Sequence, residues 1–149
     1  MEDLKRKVED LGVLLESFRN TPIEGRVFAY LLLVNPPYSS FDDIVEFLQA
    51  SKGAVSKALN TFQKEGTISY KTFSGDRKRY FYINVDGWRN KFEDGAKKLL
   101  NANKLLEEAI EYRKDFDSTE FNTKIKEIKE FQDHLTKWMN MAIEDWKKH

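Results

Sequence analysis

Residues 40–82 constrain the fold of this chain most strongly, because short helical patterns and turn signals follow one another there in a fixed order. The segment reads SFDDIVEFLQASKGAVSKALNTFQKEGTISYKTFSGDRKRYFY. Apolar residues at three- and four-residue steps predict two short helices, separated by a tight turn at Gln49-Ala50. Two runs rich in β-branched and aromatic residues, 67–73 and 79–85, flank the turn residues Ser74-Gly75-Asp76 and predict a hairpin. Helix, turn, helix and hairpin in this order predict a helix-turn-helix followed by a wing.

Helix boundaries are marked by residues that cap helix ends. Thr21-Pro22-Ile23-Glu24 is a capping box with proline in the first turn. Ser40 and Ser51 are expected to cap the two short helices, and Gly66 to stop the second. Asp117-Ser118-Thr119-Glu120 has the pattern of another capping box, which is expected to open the last helix.

The sequence predicts a mainly α fold with a small β-hairpin wing. Apolar residues recur at seven-residue steps near both ends of the chain. They are Leu4, Leu11 and Phe18, and then Phe92, Leu99 and Leu106. Such apolar faces are too long for a small winged core to cover, which favours a symmetric homodimer over a monomer with folded-back helices. The expected regions are an N-terminal dimerisation helix (1–20), a winged helix-turn-helix DNA-binding domain (21–86) and a C-terminal helical dimerisation region (87–149).

Positive charge is concentrated in the predicted helix-turn-helix and wing. The chain has 25 basic and 25 acidic residues and a formal net charge of zero. Residues 51–80 hold seven Lys or Arg against one Glu and one Asp, so the rest of the chain is acidic. A phosphate-binding protein needs a local basic patch and not a basic total.

The second short helix has two chemically distinct sides. At 100° per residue, Val55, Leu59 and Phe62 share one side and are expected to pack inward. The opposite side is polar, as a helix in the major groove requires, although a solvated helix face would look the same. The residues expected to face base edges are Ser56, Lys57, Asn60 and Lys64, with Gly53 allowing close backbone approach. Those expected to hold phosphate at the helix start are Ser51 and Lys52.

The wing tip, Gly75-Asp76-Arg77-Lys78-Arg79, is cationic. Arg77 is expected to enter the minor groove and Lys78 to hold phosphate. Asp76 is expected to position Arg77, since a carboxylate at the tip would otherwise repel phosphate. The simpler alternative is a charged edge that prevents strand-to-strand aggregation.

Several short motifs, taken in order, carry a family resemblance. They are Gly25-Arg26, Pro36-Pro37, the SKGAVS run at residues 51–56, and Gly75-Asp76-Arg77-Lys78. Together they resemble the GbsR branch of the MarR-type winged-helix regulators, most closely over residues 21–86. The resemblance implies a homodimeric bacterial or archaeal repressor or activator whose terminal helices form the dimer. Some proteins of this kind respond to small molecules.

Other classes of function are disfavoured by what the sequence lacks. There is no cysteine, so disulfides and thiolate metal sites are excluded, and a reducing cytoplasm is the expected location. No signal peptide or membrane-spanning run is present. The sequence contains neither a Walker phosphate loop nor GxGxxG, and no nucleophile has a plausible histidine partner, so neither an enzyme nor a cofactor is expected. Glu130 and His134 lie one helical turn apart, but such a pair is usually a solvated face and no metal is expected.

We therefore expect a sequence-specific, double-stranded DNA-binding transcriptional regulator, acting as a homodimer and chiefly as a repressor. Its partners would be DNA and a second copy of the chain, with no membrane. A small-molecule effector and an effector-free regulator are both compatible with the sequence. Aromatic residues of the long helices could cage a cationic osmolyte, although aromatic residues at helical spacing usually form core or interface. The alternative function is a winged-helix protein–protein adaptor without specific DNA binding.

Overall fold

The computed structural model describes residues 1–148, so the last residue of the predicted C-terminal region lies outside it. The described elements confirm the mainly α class with a small β-sheet. In chain order they are α1 (Glu2–Glu16), α2 (Pro22–Leu33), β1 (Ser39–Ser40), α3 (Phe41–Leu48), α4 (Lys52–Lys64), β2 (Ile68–Lys71), β3 (Tyr80–Ile83), α5 (Val85–Tyr112) and α6 (Thr119–Trp146). They form two compact units, Met1–Lys91 and a second that begins at Phe92.

Helix α2 is the centre of the first unit. It is apolar nearly all round, and it contacts α1, α3, α4 and β3. Its fully buried side chains include Val27 and Leu31. The inward side of α4 completes this core as the sequence predicts, because Val55, Leu59 and Phe62 are all at most 3% exposed. Burial of these side chains fixes which side of α4 remains in solvent.

The predicted helix caps of the first unit are present. The backbone N–H of Thr21 donates to the Glu24 carboxylate at 2.8 Å, and the Glu24 N–H donates to the Thr21 hydroxyl at 3.4 Å. The hydroxyls of Ser40 and Ser51 each accept from a first-turn backbone N–H at 3.2 Å. Gly66 adopts a left-handed conformation with φ of +74°, which favours glycine after the end of α4.

The sheet differs from the predicted hairpin in two respects. It has three antiparallel strands in the order β1-β3-β2, and no pattern in the sequence predicts the two-residue strand β1. The hairpin strands also span only 68–71 and 80–83, where 67–73 and 79–85 were expected. Beyond the ladder, the ring of Phe73 packs against Tyr38 and Tyr80, with centroids 5.5 and 5.1 Å away. These ring contacts hold Phe73 in position, although it lies outside the paired residues of the sheet.

The long helices begin differently from the sequence prediction. Helix α5 starts at Val85, inside the run 79–85 that was predicted to be strand. The predicted capping box at the start of α6 is wrong, because Ser118 makes no side-chain cap hydrogen bond. Asn122 organises this turn instead. Its amide nitrogen donates to the carbonyls of Arg113 and Phe116, and its amide oxygen accepts from the Arg113 guanidinium at 2.9 Å.

Helices α1 and α2 cross at two glycines. A Cβ on Gly25 would lie 2.6 Å from the carbonyl oxygen of Gly12, so the backbones touch where side chains would otherwise separate them. Beside this crossing, the Arg26 guanidinium binds Glu9 and Glu16 at 2.8 and 2.9 Å. Hydrogen bonds to Glu9, and then to Glu16, raise the pKa of Arg26 above its usual value. The crossing therefore combines close backbone contact with a charged clamp.

The apolar pattern of α1 is largely used within the chain. Leu4, Leu11 and Leu15 pack against the core and Val8 is buried, whereas Phe18 is 70% exposed. Helix α2 thus covers most of the apolar face of α1 that was expected to contact a second copy of the chain. Together with Phe18, the apolar residues of α1 that remain exposed are Val13 and Leu14.

The start of α5 is fixed against the end of α4. A Cβ on Gly87 would lie 1.8 Å from the carbonyl oxygen of Gly66. The Asn84 side chain donates to that same oxygen at 3.0 Å and accepts from the Gly87 N–H at 3.2 Å. One turn on, the Trp88 ring meets Phe28 of α2 edge to face, with centroids 5.2 Å apart.

No helix within residues 1–148 is long and apolar enough to cross a membrane.

Gly87→Ala should destabilise the protein, because its methyl group would overlap backbone that no side-chain rotation can move away. We expect a loss of about 1–3 kcal/mol in the free energy of unfolding, as for other overpacked sites. Gly95→Ala is the matched control in the same helix, where an added Cβ meets nothing within 4 Å. It should be neutral or stabilise by up to about 1 kcal/mol. Urea unfolding of both variants measures the difference, and equal stabilities would contradict the packing described here.

Candidate nucleic-acid interface

The predicted site residues all belong to the first compact unit, on α4 with its cap and on the wing loop. Every one of them is solvent-exposed. They are Ser51, Lys52, Gly53, Ser56, Lys57, Asn60, Lys64, Arg77 and Lys78. The exposed side of α4 is therefore the polar one, and it carries donors and acceptors suited to base edges and phosphate.

The start of α4 is open to an incoming ligand. Ser51 caps the helix by accepting from the Ala54 N–H, and Lys52 and Gly53 follow in the first turn. An added Cβ at Gly53 would meet no atom within 4 Å, so the packing of the chain itself does not require glycine there. Free backbone N–H groups, the helix dipole and Lys52 together favour an anion at this position.

Lys57 has an acidic neighbour that the sequence analysis missed. Glu24, at the start of α2, lies close enough to Lys57 and Thr61 of α4 to be affected by both. Burial opposes its ionisation, but hydrogen bonds from Thr21 and Thr61 and the charge of Lys57 outweigh this, and the pKa of Glu24 is lowered. Glu24 lies 33 residues before Lys57 in the sequence, so only the packing of α2 on α4 shows the pair.

The wing loop, residues 72–79, holds Arg77 and Lys78 beyond the last paired residues of β2 and β3. Within residues 1–148 the Arg77 side chain has no hydrogen-bonding or ionic partner. Asp76, which is expected to position Arg77, forms no hydrogen bond or ion pair with the Arg77 side chain. The Asp76 carboxylate instead accepts from the Lys78 backbone N–H at 2.9 Å and from the Tyr80 hydroxyl at 2.6 Å.

The two other cations of the hairpin rest on aromatic rings. The Lys71 ammonium lies 3.7 Å from the centre of the Tyr38 ring, and the Arg79 guanidinium 4.7 Å from that of Tyr70. Cation–π contacts of this kind restrain a side chain without neutralising its charge. Lys71 and Arg79 thus add to the positive field of the wing from fixed positions.

Five cations of the candidate interface form no salt bridge with any carboxylate in the described part of the chain. They are Lys52, Lys57, Lys64, Arg77 and Lys78. Elsewhere exposed lysines commonly pair with acids one helical turn away, as Lys124 does with Glu120 at 2.6 Å. Unpaired cations on one polar helix and the adjoining loop can bind phosphates at little cost, since no internal ion pair must break.

The pair considered for metal binding is exposed on α6, where Glu130 and His134 lie near Glu127. Over residues 1–148, no group of three or more potential ligands is arranged to hold a metal ion.

The fold and the exposed residues together define a winged helix-turn-helix protein with a cationic face.

Comparison with known proteins agrees with this fold. No family model matches the chain. The HTH-type transcriptional regulator MmpR5 of Mycobacterium tuberculosis is 29% identical over 100 residues, which cover 67% of this chain and 58% of that protein. This chain therefore spans about 58% of the length of the relative that it matches.

Two solved structures are similar to the chain. One, described as a transcriptional regulator, has a TM-score of 0.68 at 20% identity, with 99% of each chain covered. It shows that the whole chain has the fold of that protein. The other is a complex of S. aureus MepR with DNA, with a TM-score of 0.44 and 20% identity over 72% of this chain and 93% of that one.

Gly53→Ala should separate folding from binding. Since the site is open, the variant should be as stable as the parent or up to about 1 kcal/mol more stable, because alanine favours helix. If the backbone of Gly53 approaches a duplex closely, the added methyl group should nevertheless weaken DNA binding. Thermal unfolding and DNA titration of the same preparation measure both effects. Unchanged DNA affinity would contradict close approach at Gly53.

Proposed function

We propose that this protein is a sequence-specific, double-stranded DNA-binding transcriptional regulator of the MarR type that acts as a homodimer. The observation that carries the proposal is the exposed polar side of α4, which lies with the cationic wing in one compact unit and has five unpaired cations. Polar residues on a helix serve to read base edges, and loop cations serve to hold the backbone. The sequence similarity to MmpR5, described as an HTH-type transcriptional regulator, supports the same function.

The finer parts of the proposal follow from the motifs. The SKGAVS run and the Gly-Asp-Arg-Lys tip support the GbsR branch. In this proposal Ser56, Lys57, Asn60 and Lys64 face the major groove, and Arg77 enters the minor groove. Phosphate is held by Ser51, Lys52 and Lys78. The proposed mode of action is repression, and the proposed location is the cytoplasm. Ligand screening would test control by a small molecule.

The second unit supports the homodimer through its exposed apolar side chains. Helices α5 and α6 pair through polar contacts, such as Lys129 to Glu107 at 3.3 Å and Gln132 to the Leu99 carbonyl at 3.1 Å. Large apolar side chains of the same helices remain more than half exposed. They include Phe92, Leu105, Tyr112, Phe121, Ile128, Phe131, Trp138 and Met141. Apolar surface on this scale is typical of a protein interface.

Light scattering tests the dimer. At micromolar concentration the expected mass is twice the 17.6 kDa of one chain. Phe131→Glu, which places a charge on the exposed apolar face of α6, should shift the protein towards monomer, whereas Lys126→Glu on the same helix should not. A wild-type mass of one chain, or equal behaviour of the two variants, would contradict the proposed interface.

Fluorescence anisotropy with a labelled promoter duplex tests DNA recognition. Affinity should fall steeply as salt rises, because phosphate contacts release counterions, and it should exceed the affinity for unrelated duplex. Lys57→Ala should reduce the preference for the specific duplex. Arg77→Ala should weaken binding by about 1 kcal/mol or more and reduce the slope against salt.

Lys5→Ala is the control for these variants, since it removes an exposed positive charge from α1, outside the proposed face. If it weakened binding as much as Lys57→Ala, only net charge would matter. The rival function, a winged-helix protein–protein adaptor, predicts weak binding that is equal for all duplexes even at low salt.

A further inference from the structure

The wing loop is held by side chains and not by strand pairing. Tyr80 is the first residue of β3 and the paired position nearest the loop, where it opposes both Ser40 of β1 and Lys71 of β2. Residues 72–79 leave the ladder completely. Since loops without regular pairing are the most mobile parts of a fold, the placement of Arg77 and Lys78 depends on whatever restrains this loop.

Asp76 provides that restraint from inside the loop. One of its carboxylate oxygens accepts the Lys78 N–H at 2.9 Å, and the other accepts the Tyr80 hydroxyl at 2.6 Å. The Asp76 N–H in turn donates to the Phe73 carbonyl at 3.1 Å, which closes the tip as a turn. Arg77 lies between Asp76 and Lys78, so these bonds fix the backbone on both sides of it.

Tyr80 connects the restrained loop to the rigid sheet. Its ring is held by two other rings, Phe73 at 5.1 Å and Tyr38 at 5.7 Å, both close to edge-to-face. Such pairs prefer one relative orientation, so the hydroxyl of Tyr80 points from a defined position. This hydroxyl, followed by the Lys78 N–H, lowers the pKa of Asp76, so the carboxylate stays ionised and accepts both bonds at neutral pH.

The charge of Asp76 opposes the proposed role of its neighbours. A carboxylate beside Arg77 and Lys78 repels phosphate and weakens the local positive field. The two hydrogen bonds of Asp76 explain why an acid stands at the centre of a cationic loop, because they fix the backbone geometry of that loop.

We propose that Tyr80 is a positioning residue of the DNA interface, acting through the Asp76 carboxylate to hold Arg77 and Lys78 in the conformation that meets the duplex. The inference rests on the proposed function, because it concerns the wing of that same interface. Tyr80 itself contacts no DNA in this scheme.

Asp76→Ala, which removes both hydrogen-bond acceptors together with the charge, gives a test in which the two physical effects have opposite signs. Loss of a negative charge alone should tighten DNA binding, whereas loss of the Tyr80 bond should weaken it. Positioning predicts weaker binding by about tenfold or more in the anisotropy titration, the size expected for one charge-assisted hydrogen bond. Tighter or unchanged binding would overturn the proposal.

Tyr80→Phe removes the hydroxyl without changing any charge, and it should weaken binding to a similar extent. Tyr82→Phe is the matched control on the same strand, because the Tyr82 hydroxyl has no hydrogen-bond partner among residues 1–148. In the Arg77→Ala background, Tyr80→Phe should have a smaller further effect, since only Lys78 is then left for it to position. Full additivity, or equal losses in Tyr80→Phe and Tyr82→Phe, would overturn the role assigned to Tyr80.

Backbone ¹⁵N relaxation of the free protein separates this inference from the proposed function. Tyr80→Phe should increase the ps–ns mobility of the 76–78 amides and leave α4 unchanged, while Tyr82→Phe should alter neither. An unchanged loop would overturn the positioning role whether or not DNA binds. If the loop becomes mobile in Tyr80→Phe but the wild-type protein binds no duplex, the conclusion that Tyr80 restrains the loop still holds. The DNA-binding function is then contradicted, and with it the role of Tyr80 in an interface.

Discussion

The contact between the α1 and α2 backbones at Gly12 and Gly25 is the constraint on which the first unit depends. Glycine at position 25 allows this approach, since a Cβ there would lie 2.6 Å from the Gly12 carbonyl oxygen, whereas a Cβ on Gly12 would meet the Arg26 side chain at 2.9 Å. Arg26 then fixes the crossing by binding carboxylates of α1. With α1 covering one side, α2 presents its remaining apolar surface to α3, α4 and β3. Because α4 packs its apolar side on this surface of α2, the polar side of α4 faces solvent.

The basic side chains of the first unit differ in what partners them. Arg26 is held by two carboxylates, and Lys91 pairs with Glu65, where each ion pair stabilises packing between elements. Lys71 and Arg79 rest on aromatic rings. The exposed cations of α4 and of the wing loop form no salt bridge within residues 1–148, although Glu24 lies near Lys57 and Asp76 near Lys78. A chain with no net charge can thus present a positive surface, because its carboxylates are used elsewhere.

Local signals predicted most of this fold, and contacts between distant residues account for what they missed. Capping by Thr21, Ser40 and Ser51 needs only residues three positions apart, so the sequence shows it directly. Strand β1 pairs across about 40 residues and carries no pattern of its own, and the proximity of Glu24 to Lys57 appears only after α2 packs on α4. The error at Ser118 is different in kind. There a local capping pattern was overridden by Asn122, whose side chain satisfies the carbonyls of the preceding turn.

The two parts of the candidate interface are held by different physical forces. Helix α4 is oriented by the burial of Val55, Leu59 and Phe62, a non-directional interaction that charge screening does not weaken. The wing loop is oriented by hydrogen bonds to one half-buried carboxylate, which are directional and depend on its ionisation. A rigid helix suits the reading of base edges, where an error of an ångström breaks a bidentate contact. A loop held by a few polar bonds can adjust to the local width of a groove, which suits contacts to backbone and shape. On this scaffold, specificity would therefore reside mainly in α4, and the wing would supply affinity that varies with conditions.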